Sequence, residues 1–359
     1  MNAPAQLHGI GQSLWLDNIT RDLLESGTLA RYIAELSVTG LTSNPTIYDK
    51  AIGGTAAYDA DIRDGAANGM APDAIFFALA LADLRRAADL FAPIHERTGE
   101  VDGFVSLEVS PLLARDAAGT AAEALRLHQL GGRSNLFIKI PGTPEGLQAI
   151  EDTIFAGVPV NVTLLFSPAQ YTGCMEAYTR GIERRVAAGL SAYVGSVASF
   201  FISRWDAAVA ATVPAELKNQ LGLAIGRQAY AEYRRFFATD RWQRLLNEGA
   251  RPQRLLFAST GTKDPAASDT LYVSGLAAPY TVNTMPEDTL LAFADHGAVG
   301  PVLEADPAVS TALLARFAAA GIDIEAVGGQ LQVKGADAFV ASWNSLLERI
   351  SAKAAVVSR

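Results

Sequence analysis

The sequence predicts an α/β protein folded as a single (β/α)8 barrel of the TIM type, with additional helices at its C-terminal end. Three observations point there. Eight short β-rich runs alternate with longer helical patterns, as right-handed βαβ units on a parallel sheet require. The run at 135–140 is apolar on both sides of its one lysine, like a strand covered on both faces. Polar residues collect where the runs finish, and in a closed parallel barrel these ends form one rim, where barrel active sites lie. A doubly wound open sheet would share the alternation; eight runs favour closure.

Taken in order, the strands are expected at residues 14–18, 38–43, 103–108, 135–140, 158–163, 192–198, 254–259 and 280–284. Helical patterns fill 73–91, 120–130, 144–155, 168–188 and 203–237. Pro72 before Asp73 marks a helix start, and Gly189 closes the helix that Ser167 opens. The whole chain, 1–359, is expected to be one barrel domain. Its section 301–359 is mainly helical, clearest at 311–320 and 339–350, with Trp343 and Leu346 available to pack on the barrel.

Half the chain is hydrophobic and 19% is charged, enough apolar material for a large core. The net charge of −9 argues against general affinity for nucleic acid or anionic membranes, while leaving room for a small basic pocket. The lone Cys174 cannot form an internal disulfide. No signal-peptide pattern or membrane-length apolar run is present. A cytoplasmic protein without membrane or nucleic-acid partners is expected.

The chemistry is expected at Lys139, inside Leu136-Phe137-Ile138-Lys139-Ile140-Pro141-Gly142-Thr143. An apolar sheath disfavours the ammonium, which brings the neutral, nucleophilic amine within reach. Such an amine can attack a ketone. On its own, a strand lysine is usually an edge charge or a snorkelling side chain. The other strand ends carry Asp17, Asn44, Glu108, Asn161 with Thr163, Ser199 with Arg204, and Ser259 with Lys263. Each has a structural alternative: Asp17-Asn18 reads as a helix N-cap and Asn44-Pro45 as a turn. Asp, Glu and Lys together at separate strand ends are harder to explain that way.

Five segments resemble transaldolases in that family's order: Gly40-Leu41-Thr42-Ser43-Asn44-Pro45-Thr46-Ile47, Val105-Ser106-Leu107-Glu108-Val109-Ser110, Phe137-Ile138-Lys139-Ile140-Pro141, Val160-Asn161-Val162-Thr163-Leu164-Leu165-Phe166-Ser167 and Ala198-Ser199-Phe200-Phe201-Ile202-Ser203-Arg204. The N-terminus and Ala258-Ser259-Thr260-Gly261-Thr262-Lys263-Asp264-Pro265 are similar to the longer bacterial members. That group also occurs fused to glucose-6-phosphate isomerase, a partner this length is not expected to include. The resemblance implies transfer of a dihydroxyacetone unit from sedoheptulose 7-phosphate or fructose 6-phosphate to glyceraldehyde 3-phosphate or erythrose 4-phosphate, in the non-oxidative pentose phosphate pathway.

It further implies that Lys139 forms a Schiff base, so that no metal or other cofactor is needed. Asp17 would move the proton of the C4 hydroxyl, and Glu108 would shuttle protons through a water held by Thr163. Asn44, Asn161 and Ser199 would hold the dihydroxyacetone hydroxyls, with Phe201 and Ser259 also on the substrate. Arg204 would bind phosphate. A second family arginine has no direct equivalent, and Lys263 occupies its region. Sugar phosphates are the expected partners, and the chain a monomer or homodimer.

Two other readings remain. A fructose-6-phosphate aldolase shares the lysine chemistry but typically carries glutamine and tyrosine where this chain has Glu108 and Phe201. A silent sugar-phosphate-binding barrel would have been suggested by loss of Lys139, Asp17 or Glu108. Trp15, Phe166, Trp205 and Trp242 read as packing. His8, His95, His128 and His296 show no metal-ligand spacing.

Overall fold

The computed structural model describes residues 2–356. Eight parallel strands run β1 (Ser13–Leu16), β2 (Val38–Leu41), β3 (Val105–Glu108), β4 (Leu136–Pro141), β5 (Val160–Leu165), β6 (Ser196–Phe201), β7 (Arg254–Ala258) and β8 (Val282–Met285). The order β2-β1-β8-β7-β6-β5-β4-β3 is cyclic. The seam between β2 and β3 is spanned by Leu41 N–H to Phe104 O and Gly103 N–H to Thr39 O, both 3.0 Å. The expected barrel is therefore present. Every strand residue except the half-buried Arg254 is buried, because helices cover the outside and side chains fill the inside.

Strand ends differ from expectation in an informative way. The sixth strand starts at Ser196, four residues later than the sequence suggests. Ala192 and Val194 are buried, but ladder pairing begins only where Val160 of β5 meets Ser196. Ser199 consequently lies inside β6 rather than after it. The pattern at 203–237 divides into Ser203–Val209 and Leu221–Phe237. Pro214 stands between them, where it denies a helix its N–H and pushes Val213 out of helical geometry. The first strand stops at Leu16, and the following helix is capped by Thr20, whose hydroxyl accepts from Leu23 N at 3.0 Å. Asp17 is thus free of the capping role.

Two helices, Ala308–Ala319 and Ile324–Val356, follow the barrel. The second is 33 residues long and crosses the C-terminal mouth. Its Gln332 Nε2 donates to Gly142 O at 2.9 Å and Leu164 O at 3.0 Å. Trp343 packs edge-on against Phe76, ring centres 5.1 Å apart. Further along, Arg349 Nε meets Asp49 at 2.8 Å. These contacts strap the helix to the ends of β4 and β5 and to the Pro45–Gly54 helix. No described helix is long and apolar enough to cross a membrane.

Candidate active site

At the C-terminal mouth, where each strand end aims a side chain inward, lies a cavity of about 290 Å³. Asp17, Asn44, Lys139, Thr163, Ser199, Phe201, Arg204, Ser259 and Lys263 all line it. Nine of the eleven sequence-predicted residues therefore meet around one space. The other two stand behind it: Glu108 against Lys139, and Asn161 beneath Ser199.

Lys139 is 5% exposed, because β4 is flanked by β3 and β5 and capped by the C-terminal helix. Its Nζ donates to Ser43 O at 2.9 Å and lies 3.1 Å from Glu108 Oε2. The surroundings are therefore not the purely apolar sheath that the sequence suggests. Residues 108 and 139 are register partners across β3 and β4, so the pairing follows from parallel alignment. Burial pushes the Glu108 carboxyl above its ordinary range, opposed by Lys139 and assisted by Asp17. Such a carboxyl is suited to take a proton from the amine and return it.

Asp17 follows β1 and accepts from Thr42 Oγ1 at 2.7 Å. Thr42 in turn shares a 2.7 Å hydrogen bond with Thr284 of β8, fixing the carboxylate from two strands. Burial pushes the Asp17 carboxyl up, against the pull of Lys139, the Thr42 hydroxyl, Lys263 and Arg204. A raised carboxylate is a stronger base than a solvated one, as proton abstraction from an alcohol needs.

Asn44 caps the Pro45–Gly54 helix, its Oδ1 accepting from Ile47 N at 3.1 Å. The cap occupies the oxygen, and no hydrogen bond among the described residues holds the amide Nδ2 of this cavity-lining residue. Asn161, fully buried, donates from Nδ2 to Ser106 Oγ at 3.1 Å and accepts from Ser199 Oγ at 2.7 Å. It orients Ser199 from below. The Thr163 hydroxyl is buried with no hydrogen-bond partner among the described residues, although it lines the cavity. Leu164 (φ 61°) and Ser259 (φ 56°) both adopt left-handed backbone at the ends of β5 and β7. For non-glycine residues that costs energy, and such strain concentrates at functional sites.

The other end of the cavity is cationic. Arg204 stacks its guanidinium 5.0 Å from the Phe201 ring centre and forms no ion pair among the described residues. Burial pulls its pKa down, opposed by Asp17. Lys263 is also pulled down, by burial and then by Arg204. Two crowded cations without a carboxylate bridge are what a bound anion would relieve.

Several cavity residues escaped the sequence reading. Thr42, which lines the cavity, and Ser43, which lies outside its lining but accepts from Lys139, sit inside a motif already singled out. Thr284 lies on β8, a strand to which the sequence assigns no site residue, and Lys50 lies six residues beyond Asn44. Phe339, 5% exposed, comes from the C-terminal helix, its ring centre 5.9 Å from Lys139 Nζ. Nothing local in its sequence indicates that it reaches the barrel mouth.

A buried lysine paired with Glu108, Asp17 on the cavity wall and a cationic far wall, gathered at the C-terminal ends of the strands, mark this mouth as the active site of a (β/α)8-barrel enzyme. The comparisons agree. Residues 14–350 match the family model described as transaldolase/fructose-6-phosphate aldolase. The chain is 44% identical to a transaldolase of Frankia alni, over 98% of this chain and 97% of that relative. It is 45% identical to one of Thermobifida fusca, over 98% of each. A Neisseria gonorrhoeae transaldolase matches at 43%, over 97% of this chain and 99% of its own length. The chain belongs to the transaldolase/fructose-6-phosphate aldolase family.

Proposed function

We propose that this protein is a transaldolase that moves a dihydroxyacetone unit from a ketose phosphate to an aldose phosphate through a Schiff base on Lys139. The observation that carries the reading is the buried Lys139 amine, 3.1 Å from Glu108 in a cavity that Asp17 also lines. In this scheme Glu108 takes a proton from the lysine, and the amine attacks the donor ketone with loss of water. The protonated imine then accepts the electron pair of the C3–C4 bond while Asp17 takes the C4 hydroxyl proton. An aldose leaves, and the enamine adds to the acceptor by the same steps reversed. On this reading sedoheptulose 7-phosphate and fructose 6-phosphate are the donors and the reaction belongs to the non-oxidative pentose phosphate pathway; the cationic wall supports a phosphorylated donor.

Transfer is favoured over simple release by Glu108 and Phe201, which stand where aldolases of this lysine type typically carry glutamine and tyrosine. Borohydride added to protein and fructose 6-phosphate should trap a reduced three-carbon adduct, visible by intact mass and mapping to Lys139. Lys139→Ala should show no adduct and lose at least a thousandfold in turnover, with an unchanged circular dichroism spectrum. Turnover near wild type in that variant would refute the Schiff base. Acceptor-independent release of free dihydroxyacetone at the full rate would favour the aldolase reading instead.

A further inference from the structure

The proposal here deepens the phosphate part of the preceding reading and rests on it. Lys50 lies on the Pro45–Gly54 helix, one helical turn and a half past the Asn44 cap. It is exposed, yet it lines the same cavity as Arg204 and Lys263. Neither an ion pair nor a hydrogen bond holds its ammonium among the described residues. Lys50 is also close enough to Lys263 that its charge helps pull the Lys263 pKa down. Three cations thus arrive on three separate segments, the helices after β2 and β6 and the loop after β7. Asp17, the one carboxylate lining the cavity among the described residues, attracts Arg204 and Lys263 but forms no ion pair with either or with Lys50.

The helix that carries Lys50 is not loose. The neighbouring Asp49 accepts from Arg349 Nε at 2.8 Å and from Ser345 Oγ at 3.1 Å, and Thr46 shares a 2.7 Å bond with Ser342. All three partners belong to the C-terminal helix. Lys50 is therefore held at the rim by the strap that crosses the mouth, in a chain whose overall charge is −9. A solvated surface lysine needs no such placement beside two like charges. A phosphate monoester carries close to two negative charges near neutral pH, more than one cation offsets.

We propose that Lys50 is a third phosphate-binding residue, which with Arg204 and Lys263 forms a three-point cradle for the phosphomonoester dianion of both donor and acceptor. Lysine suits this place because it acts as a point charge with three donors and needs no fixed fork geometry. The cradle explains how one site serves sugars of different length: the flexible Lys50 stem follows the phosphate, while Arg204, stacked on Phe201, stays put.

The test compares Lys50→Gln, Lys50→Arg and Arg204→Ala in the full-length protein. Lys50→Gln should raise KM for fructose 6-phosphate and for the aldose phosphate by roughly tenfold, the low end for a charge-assisted contact at a rim. The Ki of inorganic phosphate as a competitive inhibitor should rise in parallel. Activity on free fructose and the mass of the borohydride adduct should not change, and Lys50→Arg should restore most of the loss. Unchanged KM and Ki in Lys50→Gln, with Arg204→Ala raising both, would overturn the role of Lys50 and leave the function standing. Equal losses on phosphorylated and free sugars would overturn it too, in favour of a helix-packing role. If neither variant affects phosphorylated substrates selectively, the phosphate reading of the whole cavity fails.

Discussion

Asp17 shows how one residue's environment sets both its chemistry and its cost. The cavity raises its pKa, mainly through burial, even after the attraction of Lys139, Lys263 and Arg204 is included. A carboxyl with a folded pKa above its unfolded value stabilises the fold only while protonated. That contribution is complete below the unfolded pKa, about 3.9, and is lost as pH rises through the folded value. At neutral pH the ionised Asp17 is therefore a net liability. Asp17→Asn should keep the Thr42 hydrogen bond, since the amide oxygen can still accept. It should raise Tm at pH 7 by roughly 1–3 °C, as expected for a sub-kcal gain in a chain this size. The gain should vanish as pH falls below 4. The same variant should slow carbon–carbon cleavage by orders of magnitude while borohydride still traps an adduct, now carrying the intact sugar. If trapping disappears with activity, Asp17 acts before the imine and not after it.

The long C-terminal helix is where sequence and structure differ most at the scale of elements. Strand ends β1 to β7 were legible because a barrel writes its chemistry there: Asp17, Glu108, Lys139, Thr163 and Ser199 each stand out as polar residues in or beside apolar runs. Glu108 and Lys139 could also be paired once β3 and β4 are laid parallel. The helix 324–356 reads only as a helix, because its partner is two hundred residues away and neither Gln332 nor Phe339 carries a local signal. Sequence alone assigns Trp343 and Leu346 to packing, and both are buried. It does not show that Phe339 overhangs the reacting lysine.

This overhang has a consequence. On the proposed Schiff-base mechanism, an enamine on Lys139 would survive until the acceptor arrives only if water is kept away. Phe339→Ala should cost about 3 kcal/mol of stability, as loss of a buried aromatic does. It should also increase the fraction of cleaved donor that appears as free dihydroxyacetone when acceptor is withheld. A lower Tm with unchanged partitioning would leave Phe339 as packing alone.

At the scale of the molecule, the site depends on closure of the barrel, and closure depends on one small residue. The β2–β3 seam is spanned by two backbone hydrogen bonds, whereas β1–β2 and β3–β4 pair as parallel ladders, the former with a register shift. A Cβ on Gly40 would sit 2.7 Å from Phe104 O and from the Trp15 indole. Neither obstacle can swing away. Phe104 O accepts the seam bond from Leu41 N, and Trp15 Nε1 is tied to Asp102 at 2.8 Å. Gly40→Ala must therefore push β2 off β3 or displace the indole, a change expected to cost roughly 3 kcal/mol or more. Gly54, the last residue of the Pro45–Gly54 helix, provides the contrast, with open space where its Cβ would go. There the usual helix preference applies, and Gly54→Ala should stabilise by a few tenths of a kcal/mol up to ~1. Urea unfolding of the two variants separates the cases: the Gly40→Ala midpoint should fall well below wild type while that of Gly54→Ala holds or rises. Activity should follow the seam, because Thr42 and Ser43, which fix Asp17 and Lys139, lie just beyond Gly40. A Gly40→Ala protein with the wild-type midpoint and full turnover would show that the seam yields without cost, and that β2 is not what holds the catalytic groups in place.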